Sequence, residues 1–140
     1  MKITICGSMT FAKEMLAAKE QLEQLGHAVF VPEYTEDYAR DKIDKSNIGG
    51  SEGTQRKREN DLIRKHCELI NRSDAILVLN YEKRGIPHYI GGNSFLEIGY
   101  AHIVGRKIFL MNEIPDIELI RQEIDAIQPT ILKGNLSLIA

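Results

Sequence analysis

The chain has 140 residues, 43% of them hydrophobic and 27% charged, with a formal net charge of -2. That composition is globular rather than disordered, and the length suits one domain spanning residues 1–140 that buries roughly two-thirds of the surface its unfolded form exposes. The near-neutral charge supplies no broad basic field for a nucleic-acid polymer, no run approaches the roughly 20 apolar residues of a membrane span, and two cysteines are too few for a zinc cluster.

Lys2 to Cys6 is short, β-branched and stopped by Gly7-Ser8, which predicts a buried strand. The same apolar start meets Gly7 too soon for a secretory signal, so a cytoplasmic protein is expected. From about Thr10 to Leu25, residues Met15, Leu16, Ala18, Leu22 and Leu25 share one stripe, with Gly26 as the stop of a helix. Ala28 to Val31 reads as the second strand, ended by Pro32. Glu33 to Asn60 is polar and broken by Gly49, Gly50 and Gly53; it predicts a short helix near Tyr34 to Ile43 and a mobile loop. The spacing of Leu62, His66, Leu69 and Ile70 gives a helix from about Thr54 to Arg72, followed by a strand at Ala75 to Leu79. A glycine-rich loop, Asn80 to Gly92, precedes a helix from Ser94 to Val104 and a strand from Lys107 to Met111. A helix near Ile117 to Ile127 and an edge strand at Thr130 to Leu132 complete the chain, which contains no internal repeat.

Strands alternating with helices predict an α/β fold, a flavodoxin-like or Rossmann-like three-layer sandwich on a parallel sheet of about five strands. Ligands of such sheets sit beyond the carboxyl ends of the strands, where neighbouring connections diverge. That rule selects Gly7 to Thr10, Asn80 to Asn93 and Asn112 to Asp116.

In the first segment, Cys6, Gly7, Ser8 and Met9 bring backbone N–H groups, hydroxyls and a helix start together, suiting a phosphate or carboxylate, although Ser8 or Thr10 also suits a plain helix cap. In the second, Gly92, Asn93 and Ser94 lead to Glu97, a carboxylate placed to face a bound molecule from the first turn of its helix. Ser94-x-x-Glu97 also has the spacing of a capping box, in which the carboxylate merely returns to the Ser94 amide. His66 lies on an apolar stripe, where a half-buried histidine is the ordinary outcome and an acid–base role the alternative. Asp74 precedes a strand at a turn, as a capping residue or as an acid. His88 and Tyr89, in the loop beside the glycine pair, are placed either to close over a ligand or to stay solvated. His27, after the Gly26 stop, reads as a turn residue. Cys6 and Cys67 read as buried free thiols, and no HExxH, Cys/His, GxGxxG or P-loop pattern points to a metal or an organic cofactor.

Around these residues the sequence resembles the nucleoside 2-deoxyribosyltransferase superfamily, including its 2'-deoxynucleoside 5'-phosphate N-hydrolases. Ile3-Thr4-Ile5-Cys6-Gly7-Ser8 is similar to the strand and Cys-Gly-Ser turn that helps hold a 5'-phosphate there. Leu96-Glu97-Ile98-Gly99-Tyr100-Ala101, with Gly105-Arg106-Lys107, is similar to the family's Glu-Leu-Gly-Tyr-Ala segment and the link that follows it. The resemblance implies that Glu97 is the nucleophile in cleavage or transfer of an N-glycosidic bond, by hydrolase or transferase chemistry. It implies a nucleoside or nucleotide as the small-molecule partner. It implies that Thr4 stands where the family has a tyrosine and His66 where it has an aspartate, with His66, or less readily Asp74, supplying a proton or holding the sugar. It also implies a homo-oligomer, dimer or higher, in which Tyr89 and its loop help complete a neighbouring pocket. A non-catalytic nucleotide-binding module of the same fold is the alternative.

Overall fold

The five expected strands form at Lys2–Gly7 (β1), Ala28–Phe30 (β2), Ala75–Leu79 (β3), Lys107–Leu110 (β4) and Thr130–Ile131 (β5). All pair in parallel, in the order β2-β1-β3-β4-β5, which is the flavodoxin-like order. The computed structural model describes residues 1–43, 45, 54–55, 57–58 and 61–139. The expected mobile loop between Glu33 and Asn60 lies largely outside the described residues.

Alternation along the strands sorts the core into two layers. Ile3, Ile5, Ala75, Leu77, Leu79, Phe109 and Met111 pack with Met15, Ala18 and Leu22 of the first helix, Ala12–Gln24 (α1), and with Leu136 of a C-terminal 3-10 turn. Cys6, Ile76, Val78, Ile108 and Leu110 point the other way. They meet three helices, Leu62–Asn71 (α3), Gly92–Ile103 (α4) and Glu118–Ile127 (α5), through Ile70, Ile98, Ala101, Ile120 and Ile124. Each fully buried aliphatic side chain contributes about 1.5–3 kcal/mol relative to exposure, so both faces of the sheet are strongly committed.

Element edges differ from expectation where local chemistry competes. The first helix is preceded by a 3-10 turn, Met9–Phe11, which Ser8 caps by accepting a hydrogen bond from the Thr10 amide at 3.2 Å. The helix after β2, Thr35–Ala39 (α2), stops well short of Ile43. Within the expected helix over 54–72, residues 54, 55, 57 and 58 are helical, Asp61 lies in the left-handed region, and α3 runs from Leu62. The fourth helix begins two residues earlier than expected, because Gly91 in extended backbone is its N-cap. Its Phe95 amide then bonds the Gly91 carbonyl at 2.9 Å.

Asp74 has a structural task at the amino end of the sheet. Its carboxylate accepts from the Lys2 amide at 2.7 Å, while its own amide and carbonyl bond Lys2 and Lys107. Those contacts join β1, β3 and β4 where the strands begin, roughly 15 Å from where they end. Among the described residues no helix is long and apolar enough to cross a membrane.

Candidate functional site

The strand order reverses between β1 and β3, and beyond their carboxyl ends the structure holds a cavity of about 470 Å³. Gly7, Ser8 and Met9 form one wall, Gly91, Gly92, Asn93 and Ser94 another, with Tyr89 and Lys83 above them and His66 and Glu97 at the base. Pro32, Tyr34 and Tyr38, which follow β2, close a further side. A volume of this size accommodates a small metabolite.

Glu97 is the sixth residue of α4 and therefore lies in its second turn, not its first. The alternative, a capping box, does not form: the helix starts at Gly92, and Glu97 bonds Asn93 rather than the Ser94 amide. The Asn93 side-chain amide donates to Oε1 at 2.8 Å. The other oxygen, Oε2, is buried without a hydrogen bond and lies 3.3 Å from His66 Nε2, an approach too poorly aligned to be one. His66 Nδ1 is likewise buried and unpartnered. Leaving a buried polar atom without a hydrogen bond costs about 1–3 kcal/mol, and both atoms belong to residues that line the cavity.

Cys6 completes this cluster from below. Being an even-numbered residue of β1, it faces α3 and α4, and its Sγ lies 3.5 Å from His66 Nε2. It is wholly buried and, unlike Gly7, Ser8 and Met9, does not line the cavity. Burial, with the Glu97 carboxylate next to it, holds the Cys6 thiol well above its ordinary range. Cys67 is only half-buried, unlike the expectation for both thiols. Thr4 faces the same side but is spent on a 2.6 Å hydrogen bond with Ser73.

The structure thus brings together Glu97, His66, Gly7, Ser8, Met9, Gly92, Asn93, Ser94 and Tyr89 around one cavity. It separates Asp74, which sits at the far end of the strands, and His88, which does not reach the lining. Residues Asn112 to Asp116, the third segment selected by the sheet rule, do not reach it either. Asn112 instead clasps the buried Asn80: the Asn80 side chain donates to the carbonyls of Asn112 and Glu113 and accepts from the Asn112 amide.

A solved 2-deoxyribosyltransferase from the psychrotolerant bacterium Bacillus psychrosaccharolyticus superposes on the chain with a TM-score of 0.51 and 20% identity, over 79% of this chain and 72% of that one. The likeness is one of fold. No family model matches the chain, and no curated protein does. The match agrees with the five-stranded parallel sheet flanked by helices on both sides.

Sequence pattern does not single out Lys83. It lies in the loop after β3, where the isolated bridge between Lys83 and Ile86 folds the chain back, and its ammonium donates to Ser8 Oγ at 2.8 Å. The same ammonium lies 5.2 Å from the centre of the Tyr89 ring. Burial, then the nearby charges of Arg84 and Lys57, push its pKa below the usual lysine value. The available signal was a basic residue in a loop at the carboxyl end of a central strand, which the glycines of that loop overshadowed.

Proposed function

We propose that the protein cleaves or transfers the N-glycosidic bond of a nucleoside or nucleoside 5'-monophosphate, with Glu97 as the nucleophile. The observation that carries this reading is the state of its carboxylate. One oxygen is anchored by Asn93, and the other is buried at the base of the cavity with no hydrogen bond to spend.

Breaking a C–N glycosidic bond leaves positive charge on the anomeric carbon and negative charge on the departing base. A fixed carboxylate answers the first demand and a proton donor the second. In this reading Glu97 Oε2 attacks the anomeric carbon, the base departs with a proton, and water or another base opens the resulting glycosyl ester. His66, 3.3 Å from that oxygen, is placed to supply the proton or hold the sugar. Ser8, Gly7 and Ser94 receive the 5' end, and Lys83 beside Ser8 favours a phosphate there. Both charge demands are met by side chains, so the reaction calls for no organic cofactor. The solved neighbour, a 2-deoxyribosyltransferase characterised as a biocatalyst for nucleoside synthesis, supports the same class of chemistry.

A second reading keeps the pocket and its nucleotide without turnover; it is favoured by the small exposure of Glu97, 4%. Incubation with a panel of deoxy- and ribonucleosides and their 5'-monophosphates, followed by assay for free base, separates the two. The expected result is base release that falls about a thousandfold or more in Glu97→Ala. Tight binding with no release would establish the second reading, and neither binding nor release would remove both.

A further inference from the structure

Three side chains that ligate transition metals converge beneath the cavity from three separate elements: Cys6 from β1, His66 from α3 and Glu97 from α4. All three are buried, and their ligating atoms lie within 4.8 Å of one another. We propose that Cys6 Sγ, His66 Nε2 and Glu97 Oε2 form a zinc-binding site whose fourth position opens toward the cavity.

The distances argue for one metal centre rather than a packed polar cluster. Zinc bonds of about 2.3 Å to sulfur and about 2.0–2.1 Å to nitrogen and oxygen, arranged tetrahedrally, place S and N about 3.6 Å apart and N and O about 3.4 Å apart. The corresponding separations are 3.5 Å between Cys6 Sγ and His66 Nε2 and 3.3 Å between His66 Nε2 and Glu97 Oε2. The third edge, from sulfur to carboxylate, lies within 4.8 Å. Neither of the first two contacts is a strong hydrogen bond, and Glu97 Oε2 makes no hydrogen bond of its own while its twin oxygen is held by Asn93. That is the arrangement of a ligating carboxylate: one oxygen oriented by a neighbour, the other reserved for the metal.

Charge and ligand type point to the same ion. A thiolate and a carboxylate together carry -2, so a divalent cation makes the buried site neutral, with the Cys6 proton released to solvent on binding. Thiolate and imidazole select zinc or cobalt over magnesium or calcium, which prefer oxygen alone. Three protein ligands with one open position are the pattern of a zinc ion that can take water or a ligand atom. Spacing along the chain concealed the site, because its members are 60 and 31 residues apart in sequence and meet only when the sheet forms.

This site goes beyond the glycosidic reading and competes with it for one atom: Glu97 Oε2 cannot hold a metal and attack a sugar at once. The test is made on metal-stripped full-length protein, titrated with Co²⁺ as an optical probe and then with Zn²⁺. The expected result is one equivalent of Co²⁺ showing a thiolate charge-transfer band, displaced by Zn²⁺. Cys6→Ser removes the band, Cys67→Ser retains it, and His66→Ala weakens affinity by about a hundredfold or more. X-ray absorption at the cobalt edge of the unmutated protein, which needs no variant to fold, should show one sulfur neighbour. A spectrum with no sulfur, or a band that survives in Cys6→Ser, overturns the site. Because binding is read without substrate, its failure leaves the base-release assay standing. If that assay is positive, added Zn²⁺ should suppress release.

Discussion

The two carboxylate oxygens of Glu97 have different company, and that asymmetry governs what the residue can do. Asn93, one turn earlier on the same helix, fixes Oε1, so the direction of Oε2 is set by helix geometry rather than by a mobile side chain. Lys83 provides a second residue-level test. An arriving phosphate needs the protonated ammonium, and the pKa of Lys83 is lowered from 10.5 by burial and by Arg84 and Lys57. Phosphate affinity should therefore be full below that lowered pKa and fall as pH rises through it, beginning at a lower pH than for a free lysine. Calorimetry with inorganic phosphate or a nucleoside 5'-monophosphate across alkaline pH reads this directly. Lys83→Met should weaken binding about tenfold or more at neutral pH and flatten the profile; unchanged affinity in that variant would take Lys83 out of the anion site. Glu97 was legible as a candidate from its place at the ligand end of the sheet, and both it and His66 were singled out by the resemblance rather than by spacing. The capping-box alternative was equally legible, because Ser94-x-x-Glu97 reads the same wherever the helix begins, and only Gly91 as N-cap decided it.

Among the elements, the turn at the end of β1 is the most constrained. Gly7 has φ +150°, and a Cβ there would lie 3.1 Å from the Leu79 carbonyl oxygen and 3.3 Å from Met15 Cε. Gly7→Ala must push against the backbone of β3, so it should cost about 1–3 kcal/mol, seen as a lower urea midpoint with an unchanged m-value. An unshifted midpoint would mean that the turn relaxes freely. All five strands were readable as apolar runs, and each observed strand lies within a residue or so of its expected limits. The face each side chain takes was not readable, since a buried parallel strand is apolar on both sides. Position at the strand end suggested a ligand contact for Cys6, whereas the residue points beneath the cavity, toward α3 and α4.

For the molecule as a whole, the parallel sheet of five strands and the end of it that holds the cavity followed from alternation and the carboxyl-end rule, whereas the tertiary clustering of Cys6, His66 and Glu97 had no sequence signature. Self-association, implied by the resemblance, is proposed through α4, where Leu96 and Ile103 are 58% and 83% exposed and two turns apart on one side of the helix. Light scattering should find a dimer or larger species that Leu96→Glu dissociates; a monomer at tens of micromolar in the unmutated protein would dismiss that surface.

The first strand carries both hydrophobic duty and chemistry on alternate residues, Ile3 and Ile5 on one side and Thr4 and Cys6 on the other. Inserting or deleting a single residue within it would exchange the two sets at a stroke, driving a thiol into the aliphatic layer beneath α1 and an isoleucine against His66. Change in this segment is therefore confined to substitution at constant length, and the loops around the cavity are where the protein can vary what it accepts.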